Sequence, residues 1–212
     1  MSNLTRPMTL ARRMAAFFAQ TPACRDLAGT WQHVLRMLSD GQPVPVADIA
    51  AATGSPAASL RRKLRRNPMV EWSAEGQLVG LGVTLRPTHQ HLRTRGQDLY
   101  FWSAVDPLLL TQVLGQPVQV TTSCRASGTR IRLGVAPAGV LEADPPGVVV
   151  SVPSHPGAAG HSLYSLPTHV SFFRSAQAAS AWLAGHPGYE LLVVEEALSF
   201  AGHLNALFAA GG

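Results

Sequence analysis

This chain of 212 residues is poor in sulfur, with only two cysteines, Cys24 and Cys124. They stand far apart, and neither belongs to a CxxC pair or a Cys/His cluster. That excludes a structural zinc site of recognised spacing and a disulfide framework. Charge is sparse as well: 14% of residues are charged and 46% are hydrophobic, too apolar a balance for a disordered chain. No uninterrupted apolar run reaches the roughly 18 residues that a membrane-spanning helix needs, so no membrane partner is expected. Arg12-Arg13 followed by Met14–Ala19 faintly resembles an export signal, but its apolar core is short. Leu10, Met14, Phe17 and Phe18 fall at helical spacing instead, and the segment reads as an amphipathic helix of a cytoplasmic protein. Acidic residues are scarce in the front half. Up to Asp98 there are 13 basic and 6 acidic residues, and beyond it 4 basic and 6 acidic. Two units with different partners are the expectation.

What is present organises accordingly. Thr30–Ser39 reads as a helix with Trp31, Val34, Leu35 and Leu38 on one face, stopped by Asp40-Gly41. Val46–Ala52 makes a second short helix. Ser55 as N-cap and Pro56 at the first helical position open a third, running to Arg66 with Leu60 and Leu64 inward. Asn67-Pro68 ends it. Val70–Trp72 and Leu78–Leu85 read as strands joined through Glu75-Gly76. Three helices followed by a hairpin is the order of a winged helix. Pro87–Gln97 reads as a polar connection, which puts a boundary near residue 86. Behind it, Val118–Thr122 and Ile131–Val135 pair around Ser127-Gly128. Further strands are expected at Gly147–Val152, His169–Phe173 and Leu191–Val194, and helices at Ala176–Ala184 and Ser199–Ala210. Pro153–Leu166 is a loop rich in Pro, Gly and Ser. The fold class is α+β.

Several motifs stand in one order: Gly80-Leu81-Gly82-Val83-Thr84-Leu85, Tyr100-Phe101-Trp102-Ser103-Ala104-Val105-Asp106, Ser123-Cys124 with Gly128, His169-Val170-Ser171-Phe172-Phe173, and Trp182. In this order and spacing the chain resembles the organomercurial (alkylmercury) lyases. The resemblance implies a winged-helix-like unit over residues 1–86 packed on a lyase-like α+β core over residues 87–212. It also implies cleavage of carbon–mercury bonds by two cysteine thiolates and an aspartate that relays a proton to the departing carbon. Ser103 and Pro167 stand where the family carries the two cysteines, and Asp106 remains. Cys124 matches a cysteine that the family uses structurally, and nothing in the family's pattern makes Cys24 a ligand, although lyase activity with sulfur from elsewhere, such as Cys24 or a partner thiol, is a further reading.

The substitutions bear directly on the chemistry. Thiolate sulfur suits a soft metal centre. A serine hydroxyl is hard and stays protonated unless a base activates it, and proline offers no ligand at all. Impaired carbon–mercury cleavage is therefore expected, with a ligand pocket retained near Trp102, Ser103, Asp106, Pro167, Thr168 and His169. Ser103 and Asp106, three apart, share a face on a helical turn. Three readings stay open for them. Ser103 fills the cysteine's volume while Asp106 caps a helix or accepts backbone hydrogen bonds. Ser103 is a nucleophile with Asp106 and His169, although no Gly-x-Ser-x-Gly elbow surrounds it. Or the pocket holds a small molecule or a metal ion, for which His155, His161 and His169 offer imidazole ligands. A metal ion is the only cofactor contemplated.

The remaining constellation is Arg61, Arg62, Lys63, Arg65 and Arg66, five cations on the third helix. In a DNA-binding winged helix this element enters the major groove, and the cluster suits phosphate contact. The resemblance implies a scaffold that does not bind DNA, and a solvated helix face accounts for the charges equally. A one-component regulator, sensing a ligand in its back half and touching DNA through this helix, is the competing reading. No Asn or Gln precedes Asn67 on the helix to read bases, so any contact would be non-specific.

Overall fold

The computed structural model describes residues 5–27, 29–156 and 166–210. Helix α1 (Thr5–Gln20) buries Leu10, Ala11 and Met14 and packs along the final helix, α9 (Val194–Ala210). Then follow α2 (Pro22–Arg25), α3 (Trp31–Leu38), α4 (Val46–Thr53) and α5 (Ala57–Arg66). The inward faces are those the spacing predicts: Val34, Leu35 and Leu38 on α3, and Leu60 and Leu64 on α5. Gly54, in the left-handed region at φ +64°, ends α4. The cap of α5 is Pro56, one residue beyond the expected Ser55, and its carbonyl accepts the Leu60 N–H at 3.0 Å.

Strands β1 (Glu71–Trp72), β2 (Leu78–Leu81), β3 (Val83–Thr84), β4 (His91–Thr94), β5 (Gln97–Phe101), β6 (Val118–Ser123), β7 (Arg130–Ala136) and β8 (Gly139–Asp144) form one antiparallel sheet. Its order is β1-β2-β3-β5-β4-β6-β7-β8. Helix α6 (Val105–Leu114) follows β5 and packs against α9, β6 and β7. A second sheet, ordered β10-β9-β11, is built from β9 (Val149–Pro153), β10 (Phe172–Phe173) and β11 (Tyr189–Val193). Between these strands lie α7 (Leu166–His169) and α8 (Ala176–Ala184), the latter capped by Ser175, whose hydroxyl accepts the Ala178 N–H at 3.1 Å. Phe101 and Phe172 meet edge to face across the two sheets at 6.3 Å. The architecture is α+β, with an N-terminal helical unit on a sheet core, as expected. Among the described residues no helix is long and apolar enough to cross a membrane.

The sequence reading named no element at α2, β5, α6 or β8, and four further elements differ from it. The run Leu78–Leu85 is two strands, not one. Gly82 at φ +74° reverses the chain so that Leu81 opposes Val83 and Gly80 opposes Thr84. The polar connection Pro87–Gln97 contains β4, where Leu92 and Thr94 are buried and His91 and Arg93 point outward. That strand is joined to β5 through Arg95 and Gly96, both at positive φ, the signature of a two-residue hairpin turn. The expected strand His169–Phe173 is a helical turn ending at His169, with only Phe172–Phe173 extended. Helix α9 starts at Val194, before the expected Ser199, because Glu195 and Glu196 favour a helical first turn.

Candidate active site

The site is built at the start of α6. The Asp106 carboxylate turns back across the first turn, and Oδ2 accepts the Ser103 N–H at 2.8 Å and the Trp102 N–H at 3.3 Å. The Ser103 hydroxyl oxygen accepts the Val105 N–H at 3.3 Å. Asp106 thus holds the backbone just ahead of the helix, and Ser103 takes the N–H of its first residue. The Trp102 carbonyl is held by Gln90 Nε2 at 2.8 Å, and Ala104 N–H donates to the Val170 carbonyl at 2.9 Å, tying the turn to the second sheet's neighbourhood.

Ser103 and Asp106 open onto a cavity of about 720 Å³. Its wall is mainly apolar, with Met14, Phe18, Trp31, Leu109, Phe200 and Phe208 drawn from α1, α3, α6 and α9. A cavity of this size accommodates a small organic molecule. Burial against this wall is the dominant influence on Asp106 and raises its carboxyl from 3.8 to about 7. The two backbone N–H donors, from Ser103 and Trp102, pull the other way and are outweighed. A carboxylic acid in that range is protonated part of the time at neutral pH and can both give and recover a proton.

Other members of the sequence-derived set lie elsewhere. Trp102, Thr168 and His169 do not line the cavity, whereas Val170 does. The His169 ring belongs to an aromatic group with Trp182, His186 and Tyr189 at centroid distances of 6.5, 5.4 and 5.8 Å. Its Nδ1 is 3.0 Å from the Thr168 hydroxyl. Pro167 falls within α7, and its side chain is outside the described residues, as is His161. His155 is exposed. Among the described residues no three His, Cys, Asp or Glu side chains converge as metal ligands. Cys124 is buried at the β6–β7 turn, away from the cavity. Burial would raise its thiol, but hydrogen bonds from the Ser127 side chain and from the backbone at Arg174, Ser127 and Ala126 outweigh that and hold it below its ordinary value.

Two further residues line the cavity. Cys24, on α2, lines the same cavity as Ser103 and Asp106. Trp31, read only as part of a helix face, lines it too, and its buried indole N–H finds no acceptor among the described residues. Arg61, Arg62, Lys63, Arg65 and Arg66 are all exposed on α5. Arg65 lies 4.8 Å over the Trp72 ring, and Arg61 reaches the Gly76 carbonyl at 3.4 Å.

A helical unit shares one sheet with an α+β core, and a buried carboxyl lies on the wall of an apolar cavity. Comparison with known proteins gives this architecture a family. Residues 83–205 match the alkylmercury lyase family, and residues 10–82 match the helix-turn-helix domain of alkylmercury lyase. The chain is 37% identical over 182 residues to an alkylmercury lyase of Staphylococcus epidermidis, spanning 86% of this chain and 84% of that one. It is 36% identical over 188 residues to an alkylmercury lyase of Streptomyces lividans, spanning 89% and 87%. The crystal structure of the mercury-bound form of MerB2 superposes with a TM-score of 0.73 at 22% identity, over 96% of this chain and 99% of the other. The chain belongs to the alkylmercury lyase family.

Proposed function

We propose that this chain is a divergent alkylmercury lyase whose carbon–mercury protonolysis is impaired because its sulfur pair is gone. The apolar cavity suits the organic group of such a substrate, and Asp106 supplies the proton that a departing carbanion needs. Ser103 and Pro167 offer no soft ligand in exchange. The proton-delivery half of the chemistry remains, and the capture half is weakened. A small apolar ligand, a metal ion or a different reaction at the same cavity fits the same changes. The observation that carries this reading is the Asp106 carboxyl, at about 7, on the wall of the cavity beside Ser103. The two free thiols, Cys24 and Cys124, suit a reducing cytoplasm.

The test is benzene release from phenylmercury with excess small thiol, comparing wild type with the Ser103→Cys/Pro167→Cys variant. Slow wild type and a clear gain in the variant are the expected results. Equal turnover by the two would mean that the pair of protein thiolates is not required.

A second reading rests on α5. Its five cations are exposed, and among the described residues none of them pairs with a carboxylate, which leaves them free for phosphate contact. A regulator that binds DNA non-specifically through this helix and a ligand through the cavity follows from that.

A further inference from the structure

Two consecutive peptide groups hold the Asp106 carboxylate, and a single side chain holds both of them from behind. The peptide joining Trp102 to Ser103 gives its N–H to Asp106 Oδ2 at 2.8 Å, and its carbonyl accepts from Gln90 Nε2 at 2.8 Å. The peptide joining Phe101 to Trp102 gives its N–H to the same Oδ2 at 3.3 Å, and its carbonyl accepts from the same Gln90 nitrogen at 3.4 Å. A trans peptide turns its N–H and C=O to opposite sides. One amide nitrogen and one carboxyl oxygen therefore clamp the same two groups from either side. Chemistry fixes the amide's orientation, because both carbonyls can only accept and so must meet the nitrogen. Gln90 Oε1, on the other branch, accepts the Thr122 hydroxyl at 3.4 Å. The backbone of Gln90 is pinned as well: its carbonyl accepts the Phe101 N–H at 3.3 Å, and its N–H donates to the Thr88 hydroxyl at 3.0 Å.

We propose that Gln90 is a positioning residue for the Asp106 acid: by bridging the Phe101 and Trp102 carbonyls it fixes the turn whose amides hold the carboxyl on the cavity wall. This role presupposes Asp106 as the proton donor of the lyase reading, and it adds a residue from outside the Tyr100–Asp106 motif. Gln90 does not line the cavity and acts on the acid only through the two peptide groups between them. Donation to a carbonyl polarises the whole amide and sharpens the N–H at its far end as a donor. Those two N–H groups are the influences that hold the Asp106 carboxyl down, to about 7, against burial. The other titratable side chains of the cavity wall, Arg12, Cys24, Arg25 and His33, contribute nothing to that balance. Without Gln90 the two bonds to Oδ2 weaken. The acid then becomes a poorer proton donor, and its aim into the cavity loosens.

The experiment follows the Asp106 carboxyl carbon by NMR titration of the full-length protein with isotope-labelled aspartate, the signal assigned by its loss in Asp106→Asn. Gln90→Met, close in size but without a donor, should move the midpoint upward by roughly 0.5 pH or more. Thr94→Val deletes a bond to the Pro117 carbonyl at the far end of β4. It should lower stability and leave the midpoint where wild type has it. A midpoint unmoved in Gln90→Met, or moved as far by Thr94→Val, overturns the proposal. If Gln90→Met does not fold, Gln90→Asn, whose amide falls one methylene short of the two carbonyls, takes its place with the same expectation and the same overturning result. In the Ser103→Cys/Pro167→Cys background, Gln90→Met should slow benzene release from phenylmercury by roughly threefold or more. Undiminished release there overturns the role in proton delivery. Should that background itself be inert, the lyase reading falls, while the titration still decides for or against Gln90.

Discussion

Asp106 Oδ2 takes the backbone N–H of Ser103 at 2.8 Å, so the acid is anchored by the residue three positions before it. The bond uses the Ser103 backbone and not its hydroxyl, which is occupied with Val105. Replacing the side chain at 103 therefore leaves the anchor of the carboxylate in place. This separability makes Asp106 the natural residue to probe first.

Asp106 has a folded-state carboxyl near 7 against an ordinary 3.8. Between these values the folded chain binds more protons than the unfolded one, so Asp106 lowers stability as pH rises through that window, with its full penalty above 7. Asp106→Asn removes the titration. Urea unfolding at pH 5 and pH 8 should show the variant gaining on wild type at the higher pH by roughly 2–3 kcal/mol, partial exposure discounted. Equal pH dependence in both proteins would refute the buried-acid picture.

Gly82→Ala should destabilise the fold by roughly 2–3 kcal/mol. An added Cβ would sit 3.1 Å from the Trp31 ring, at a φ of +74° that side chains rarely adopt. A chemical denaturation midpoint unchanged within error would contradict this.

Trp31→Phe should cost under about 1 kcal/mol, well below the ~3–5 kcal/mol of a large-to-small aromatic truncation. The indole N–H is buried without an acceptor among the described residues, and removing it relieves a desolvation penalty that offsets lost packing. Thermal unfolding of the two proteins side by side settles the sign.

DNA binding by α5 should appear as a salt-dependent mobility shift of duplex DNA at low ionic strength, with little dependence on sequence. Arg62→Glu/Lys63→Glu should abolish it. Arg65 is spared in this design because it stacks on Trp72. Neutralising a single cation that touches a phosphate should flatten the log-affinity against log-salt slope by about 0.9. No shift at low salt would leave α5 a solvated face of the scaffold.

Helices α3 and α5 were legible because their leucines and valines recur at helical spacing, as Leu60 and Leu64 do. The β6–β7 hairpin announced itself through Gly128. Strand β4 did not, since Leu92 is its sole large apolar residue and the rest looked like a polar loop. The run around Gly82 misled for the opposite reason, being apolar throughout, so that only a backbone angle reveals the reversal. At the site, Ser103 and Asp106 were visible because they fall in the Tyr100–Asp106 motif that resembles the alkylmercury lyases. The cavity was invisible, since α1, α2, α3 and α9 each look like an ordinary helix and only their meeting makes a chamber.

The hydrogen bonds between β3 and β5, Val83 opposite Phe101 and Thr84 opposite Tyr100, have a practical corollary. A fragment beginning at residue 87 would leave the β5 edge bare, a row of unsatisfied amides and carbonyls next to the Trp102–Asp106 turn, inviting self-association. The front fragment would lose the partner of β3 in turn. The family boundary at residues 82 and 83 is a seam in the text of the sequence and not in the material: the shortest inheritable, foldable and degradable piece that contains Asp106 is both halves together.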